Sequence, residues 1–218
     1  MLEKLSNALR NSMDRLASAI FVDSVDNIFI TGTTNSGSTF IPDSHCNVLS
    51  GAGTDIFIVQ LNATENSLVY ATRFGGNSNL EGASDIDVDA GKIYIAGYTQ
   101  SSVFPTYAPP AIPPFQQTRE GVQDAFVAKF DPTVTGSASC IYSTLLGGNN
   151  SDTATAIDVK DGSAFVTGYT NSTNFDTQGT GWCWSTCTYP PYQSGLQGGY
   201  DTFVTRISNM GRTLSFST

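Results

Sequence analysis

The sequence predicts an all-β protein built from three like units of four short antiparallel strands. Three observations carry that expectation: short runs alternate β-branched and aromatic residues, turn-forming pairs separate them, and the whole series recurs about 70 residues apart. The clearest recurrence is Asp124 to Gly148. Its front half returns as DIFIVQLN (Asp55 to Asn62) and DTFVTRIS (Asp201 to Ser208), and its back half as LVYATRFGG (Leu68 to Gly76) and LSFST (Leu214 to Thr218). Each pair reads as a β-hairpin supplying the third and fourth strands of a unit.

The first and second strands recur with it. ASAIFVDSVDNIFITGTT (Ala17 to Thr34), ASDIDVDAGKIYIAGYT (Ala83 to Thr99) and ATAIDVKDGSAFVTGYT (Ala154 to Thr170) carry Gly32, Gly97 and Gly168 at matching places. The first strands are AIFVD, DIDVD and AIDVK. Tight turns at Asp26-Asn27, Ala90-Gly91 and Asp161-Gly162 lead into the second strands, because such pairs supply the positive φ that two-residue hairpin turns need.

Many strands are apolar on both faces, as in Ile93, Tyr94 and Ile95, so the sheets must be covered on both sides. Small four-stranded sheets stacked face to face around an axis satisfy this, which is the blade arrangement of a β-propeller. The phrases DAFVAKFDP, IYSTLLGG, ATAIDV and AFVTGYTNST resemble the bacterial β-propeller repeat family abbreviated SBBP, and all three units match from Ala17 to Thr218. The resemblance implies a propeller of exported or cell-surface proteins, and it carries over no catalytic residues. The expected boundaries are 17–76, 77–148 and 149–218, one blade each. Closed propellers take about four to eight blades, so three imply a piece of a larger ring or one completed by a second copy.

Residues 1–16 read differently. Leu2, Leu5, Leu9, Met13 and Leu16 fall three and four apart, which predicts a short N-terminal amphipathic helix or edge cap in the slot of a preceding strand. Glu3, Lys4, Arg10, Asp14 and Arg15 interrupt any signal-peptide core, and no window is apolar enough to span a bilayer.

Composition narrows the partners. Only 13% of residues are charged, yet the net charge is −9, with ten scattered Lys and Arg. That argues against nucleic acid and against an anionic membrane. Cys183 and Cys187, in WCWSTCTYPPY, are spaced to close a small disulfide; Cys140 reads as a small apolar strand residue, and His45 with Cys46 falls short of a zinc set. Asn62, Asn149 and Asn171 head Asn-x-Ser/Thr triplets compatible with glycosylation or with coincidence.

The connections from second to third strands are long: Asn35 to Thr54, Gln100 to Gln123 and Asn171 to Tyr200. Long loops on a rigid scaffold are where function usually sits. Tyr107 and Phe115 in the second loop, and Trp182, Trp184, Tyr189 and Tyr192 in the third, either stack on a sugar or protein partner or fold back over the blade. Asp87 and Asp158 recur on first strands. They are weak Ca²⁺ candidates, more readily read as hydrogen-bond acceptors between strands or blades; no other cofactor is implied. No nucleophile turn or phosphate loop is present in the sequence, so the expected function is a non-catalytic extracellular or surface module for ligand binding or assembly. A carboxylate-based glycan-processing enzyme and a purely structural array are the alternatives.

Overall fold

The computed structural model describes residues 15–35, 53–62, 67–78, 80–109, 113–177 and 195–217. They form three four-stranded antiparallel sheets, each a simple meander. The first holds β1 (Arg15–Val22), β2 (Asn27–Thr34), β3 (Asp55–Asn62) and β4 (Ser67–Phe74). The second holds β5 (Glu81–Asp89), β6 (Lys92–Thr99), β7 (Asp124–Phe130) and β8 (Cys140–Leu146). The third holds β9 (Asp152–Lys160), β10 (Ser163–Thr170), β11 (Asp201–Ile207) and β12 (Leu214–Ser217). These are propeller-like blades, all-β as the sequence predicts.

The first strand of each blade begins about a turn earlier than its apolar core indicates, because it continues across a bulge. Ser18, Ser84 and Thr155 are the extra residues, at the same place in each blade. The recurring glycines sit opposite these bulges. A Cβ on Gly32 would lie 2.0 Å from the Leu16 carbonyl oxygen, and one on Gly97 would lie 2.0 Å from that of Gly82. The bulge thus explains why each second strand carries glycine at a position with ordinary backbone angles.

Successive blades pack face to face through their first strands, with β5 against β1 and β2, and β9 against β5 and β6. Side chains of alternate parity along the strands of the second blade fill two separate cores. Phe29, Ile56, Ile58 and Phe74 of the first blade meet Ile86, Ile95, Phe126 and Phe130 of the second. Tyr94, Val127 and Tyr142 of the second meet Ile157, Val166 and Phe203 of the third. This alternation is why the strands read as apolar on both faces.

Three expectations are adjusted. The helix expected over 1–16 is not shown: Arg15 and Leu16 belong to β1, Leu16 pairing with Thr33, and the remaining positions lie outside the described residues. Ladder bonding to β2 wins over the helical spacing at those two residues. The turn of the first blade is longer than a two-residue hairpin. The Asp23 carboxylate accepts the N–H groups of Val25 (3.0 Å) and Asn27 (2.8 Å), and only Asp26 takes positive φ there. Cys140 is buried at the start of β8 as expected of a small strand residue, but among the described residues no cysteine is free. Cys183 and Cys187 lie outside the described residues.

Candidate functional site

The upper end of each blade is where its second and third strands are joined and where the chain passes to the next blade. A buried carboxylate at the head of the first strand clasps each junction there. Glu81 accepts the Gly76 N–H (2.9 Å), the Thr99 hydroxyl (3.1 Å) and the Ser101 hydroxyl (3.2 Å). Asp152 repeats the pattern with the Gly148 N–H (2.8 Å), the Ser172 hydroxyl (2.8 Å) and the Thr170 hydroxyl. The sequence supplies Gly-Gly before the clasp for lack of room: a Cβ on Gly76 would lie 2.3 Å from the Val103 carbonyl oxygen.

A second carboxylate heads each third strand beside the clasp. Asp55 is paired with the buried Arg73 guanidinium at 3.1 Å. In the next blade Leu145 takes the place of Arg73, and Asp124 instead accepts the Gln116 side-chain amide (2.6 Å) and the N–H groups of Glu120 (3.1 Å) and Gly121 (3.3 Å). Burial pushes Glu81 up to about 7, outweighing its three hydrogen bonds, with the Asp55 charge adding to the rise. Burial likewise raises Asp124 to about 6, with the nearby Asp152 contributing, and raises Asp152 itself.

The loop between β6 and β7 is a strap. It enters with Phe104 inserted among Phe74 and Phe126 (ring centroids 5.0 Å from each), then runs beside the outermost strand β8. Tyr107 and Ser143 exchange backbone hydrogen bonds of 2.8 and 2.7 Å, and the Leu145 N–H donates to the Gln116 carbonyl at 3.1 Å. The strap then docks on the third blade. The Phe115 N–H donates to the Gly211 carbonyl (2.9 Å), and Arg212 donates to that of Pro109 (2.9 Å).

Between this strap and the start of the next loop lies an open cleft of about 590 Å³. Phe115, Gln116 and Glu120 line one side, and Asn174, Asp176 and Thr177 the other. Asp124 lies behind it, fixing Gln116 and Glu120 through the bonds above. Among the described residues the lining includes no lysine, arginine or histidine.

Of the aromatic candidates, Phe115 is thus at the cleft, while Tyr107 is half-buried against the first core. Trp182, Trp184, Tyr189 and Tyr192 lie outside the described residues. Asp87 and Asp158 are not brought together around a common point: Asp87 spends its carboxylate on the Val88 (2.7 Å) and Val159 (2.6 Å) N–H groups, and Asp158 is exposed on the far side of β9. Among the described residues no group of His, Cys, Asp and Glu is arranged to hold a metal ion.

Sequence reasoning passed over Gln116, Glu120, Asp176, and the clasp residues Glu81 and Asp152. A signal for the clasp was present: Thr99-Gln100-Ser101 is followed by Phe104 at the same spacing as Thr170-Asn171-Ser172 by Phe175, and both phenylalanines are buried at their junctions.

Residues 141–176, from β8 through the second junction to the edge of the cleft, match the family model described as SBBP, beta-propeller repeat. Over that segment the chain is similar to this β-propeller repeat family. The match runs from the last strand of the second blade through the first two strands of the third; the three blades themselves are assigned by their sheets. No curated protein matches the chain.

Proposed function

We propose that this chain is a non-catalytic propeller module of the cell surface or exterior that binds a glycan in the cleft between the strap and the third-blade loop. The observation that carries the reading is the lining. An aromatic ring, Phe115, stands beside planar amides and carboxylates, Gln116, Asn174, Glu120 and Asp176, with no cation among the described lining residues. Aromatic faces stack on the apolar face of a pyranose, and planar amides and carboxylates bridge its hydroxyls. A lining that is acidic and without cations favours neutral or amino sugars over phosphates and uronic acids.

Trp182, Trp184, Tyr189 and Tyr192 follow Thr177 in the sequence and are proposed as further contact residues. The acidic composition, low in charged residues, and the family resemblance support an exported location. Ca²⁺ plays no part in this reading.

The test is a panel of immobilised neutral and amino oligosaccharides, followed by calorimetry on any that bind. Binding lost in Phe115→Ala and Trp182→Ala, without turnover, is expected. No binding to any member, or binding indifferent to both substitutions, would end the glycan reading. Slow hydrolysis abolished by Glu120→Gln or Asp176→Asn would replace it with the enzymatic one, since two carboxylates face one cleft.

A further inference from the structure

At the end of the blades opposite the clasps, the second and third blades meet around a buried lysine that the cleft does not use. Lys129 on β7 is only 7% exposed, and its Nζ lies over the Tyr94 ring, 4.9 Å from the centroid. The same Nζ donates to the Asn209 side-chain carbonyl oxygen at 2.5 Å, across 80 positions of sequence and from one blade to the next. Among the described residues Lys92 has a carboxylate partner, Asp131 at 2.7 Å, and Lys129 has none.

Asn209 sits in the turn between β11 and β12, with its carboxamide against the backbone of Gly162: a Cβ there would lie 2.8 Å from the Asn209 Cγ. Gly162 is itself held from the second blade, its N–H on the Asp89 carboxylate (2.8 Å) and its carbonyl on the Tyr94 hydroxyl (3.2 Å). An amine and a carboxamide are thus fixed beside one another, and fixed geometry is what makes a slow acyl transfer fast. Burial lowers Lys129 from its ordinary value, against the Asp89 charge and together with that of Lys92, and so favours the neutral, nucleophilic amine.

The pair belongs to this junction alone. At the first junction the positions matching Lys129 and Asn209 are Gln60 and Pro132, the one without an amine and the other without a carboxamide.

We propose that Lys129 and Asn209 condense into an intramolecular isopeptide bond that stitches the second blade to the third. Asp89 takes one proton from the Lys129 ammonium, and the freed amine attacks the Asn209 Cγ. A second Nζ proton passes to the departing amide nitrogen, which leaves as ammonia while the carbonyl re-forms; Asp89 then gives its proton to the ammonia. One C–N bond forms and one breaks, with no change of oxidation state. Asn209 is exposed, so the ammonia has a way out.

The experiment is the intact mass of the full chain under reducing, denaturing conditions, followed by tryptic mapping. The expected mass is that of the sequence less one ammonia, with a branched peptide joining the Lys129 and Asn209 segments and no cleavage after Lys129. Lys129→Arg and Asn209→Ala should each restore the full mass. Asp89→Asn, whose amide oxygen can still accept the Gly162 N–H, should leave freshly made protein unlinked; circular dichroism confirms that each variant is folded. The full sequence mass in the wild type, both fresh and after prolonged incubation, overturns the proposal. So does a lost ammonia without the branched peptide, which would mark succinimide formation at an asparagine instead. A branched peptide formed as fast in Asp89→Asn as in the wild type overturns the part given to Asp89.

Discussion

Where β1 faces the second blade its side chains are Ala19 and Phe21; where β5 faces the third they are Asp85, Asp87 and Asp89. The first junction is held by a cluster of rings, Phe74, Phe104, Phe126 and Phe130. Among the described residues the second has one stacked pair, Phe175 on Phe203 at 4.7 Å, plus the carboxylate ladder. Their clasps differ in the same way: Asp55 has a guanidinium beside it, and Asp124 has only neutral donors. One backbone arrangement thus accepts two kinds of glue. Apolar burial is strong and undirected, whereas the ladder is weaker and fixes which backbone groups meet.

The sharpest way to break the comparison is to hollow out each junction. Phe126→Ala should cost about 3–5 kcal/mol, since the ring touches both Phe74 and Phe104 and leaves a cavity between blades. Phe203→Ala, with one ring partner, should cost less. Urea unfolding measures both through the shift in midpoint at constant slope. Equal losses would mean that the ring cluster contributes nothing beyond ordinary burial.

The clasps separate next, by pH. Glu81 titrates near 7 in the folded chain against 4.5 unfolded, so between those values the folded state binds more protons. Stability from this group is therefore greatest at or below pH 4.5 and falls as pH rises toward 7, by on the order of 2–3 kcal/mol. Asp124 acts with the same sign over a lower window, from 3.8 to about 6, and more weakly because its rise is smaller. Midpoints measured from pH 4 to 8 should fall less steeply in Glu81→Gln than in wild type. A slope unchanged by that substitution would remove Glu81 as the cause.

The ladder follows. Asp87→Ala strands the Val159 N–H between blades and should cost about 1–2 kcal/mol, whereas Asp87→Asn, which keeps an acceptor oxygen, should cost less. Amide exchange at Val159 is the direct readout. Protection unchanged in Asp87→Ala would show that the ladder does not hold the third blade.

Repeats and periodicity made the blades legible, because each strand of the second blade answers to two cores and carries apolar residues of both parities. The long loops were legible only as loops. That Tyr107 would pair with Ser143 and Phe115 reach Gly211 depends on the open edge of β8 and on the position of the neighbouring blade, neither of which leaves a local pattern. The cleft shares this fate: Gln116 and Asp176 lie 60 positions apart and meet only because the strap lies along a blade seam. Asp87 was readable as an acceptor, since an alternating Asp series on a first strand has adjacent N–H groups within reach; its partner in the next blade was not.

The smallest effect tests the strap itself. Arg212 reaches from the β11–β12 turn of the third blade to the Pro109 carbonyl of the second, one of two described bonds joining the strap to that turn. Arg212→Ala removes that bond and leaves the Phe115 N–H on Gly211, so the loss in global stability should be about 1 kcal/mol or less. The strap should respond more than the fold, because local opening draws on few contacts while global unfolding breaks both cores. Brief proteolysis should cut within 100–123 faster in Arg212→Ala than in wild type while urea midpoints stay close. A midpoint that falls in step with the cutting rate would show instead that strap and blades open together, and that the second junction needs the strap as much as it needs the ladder.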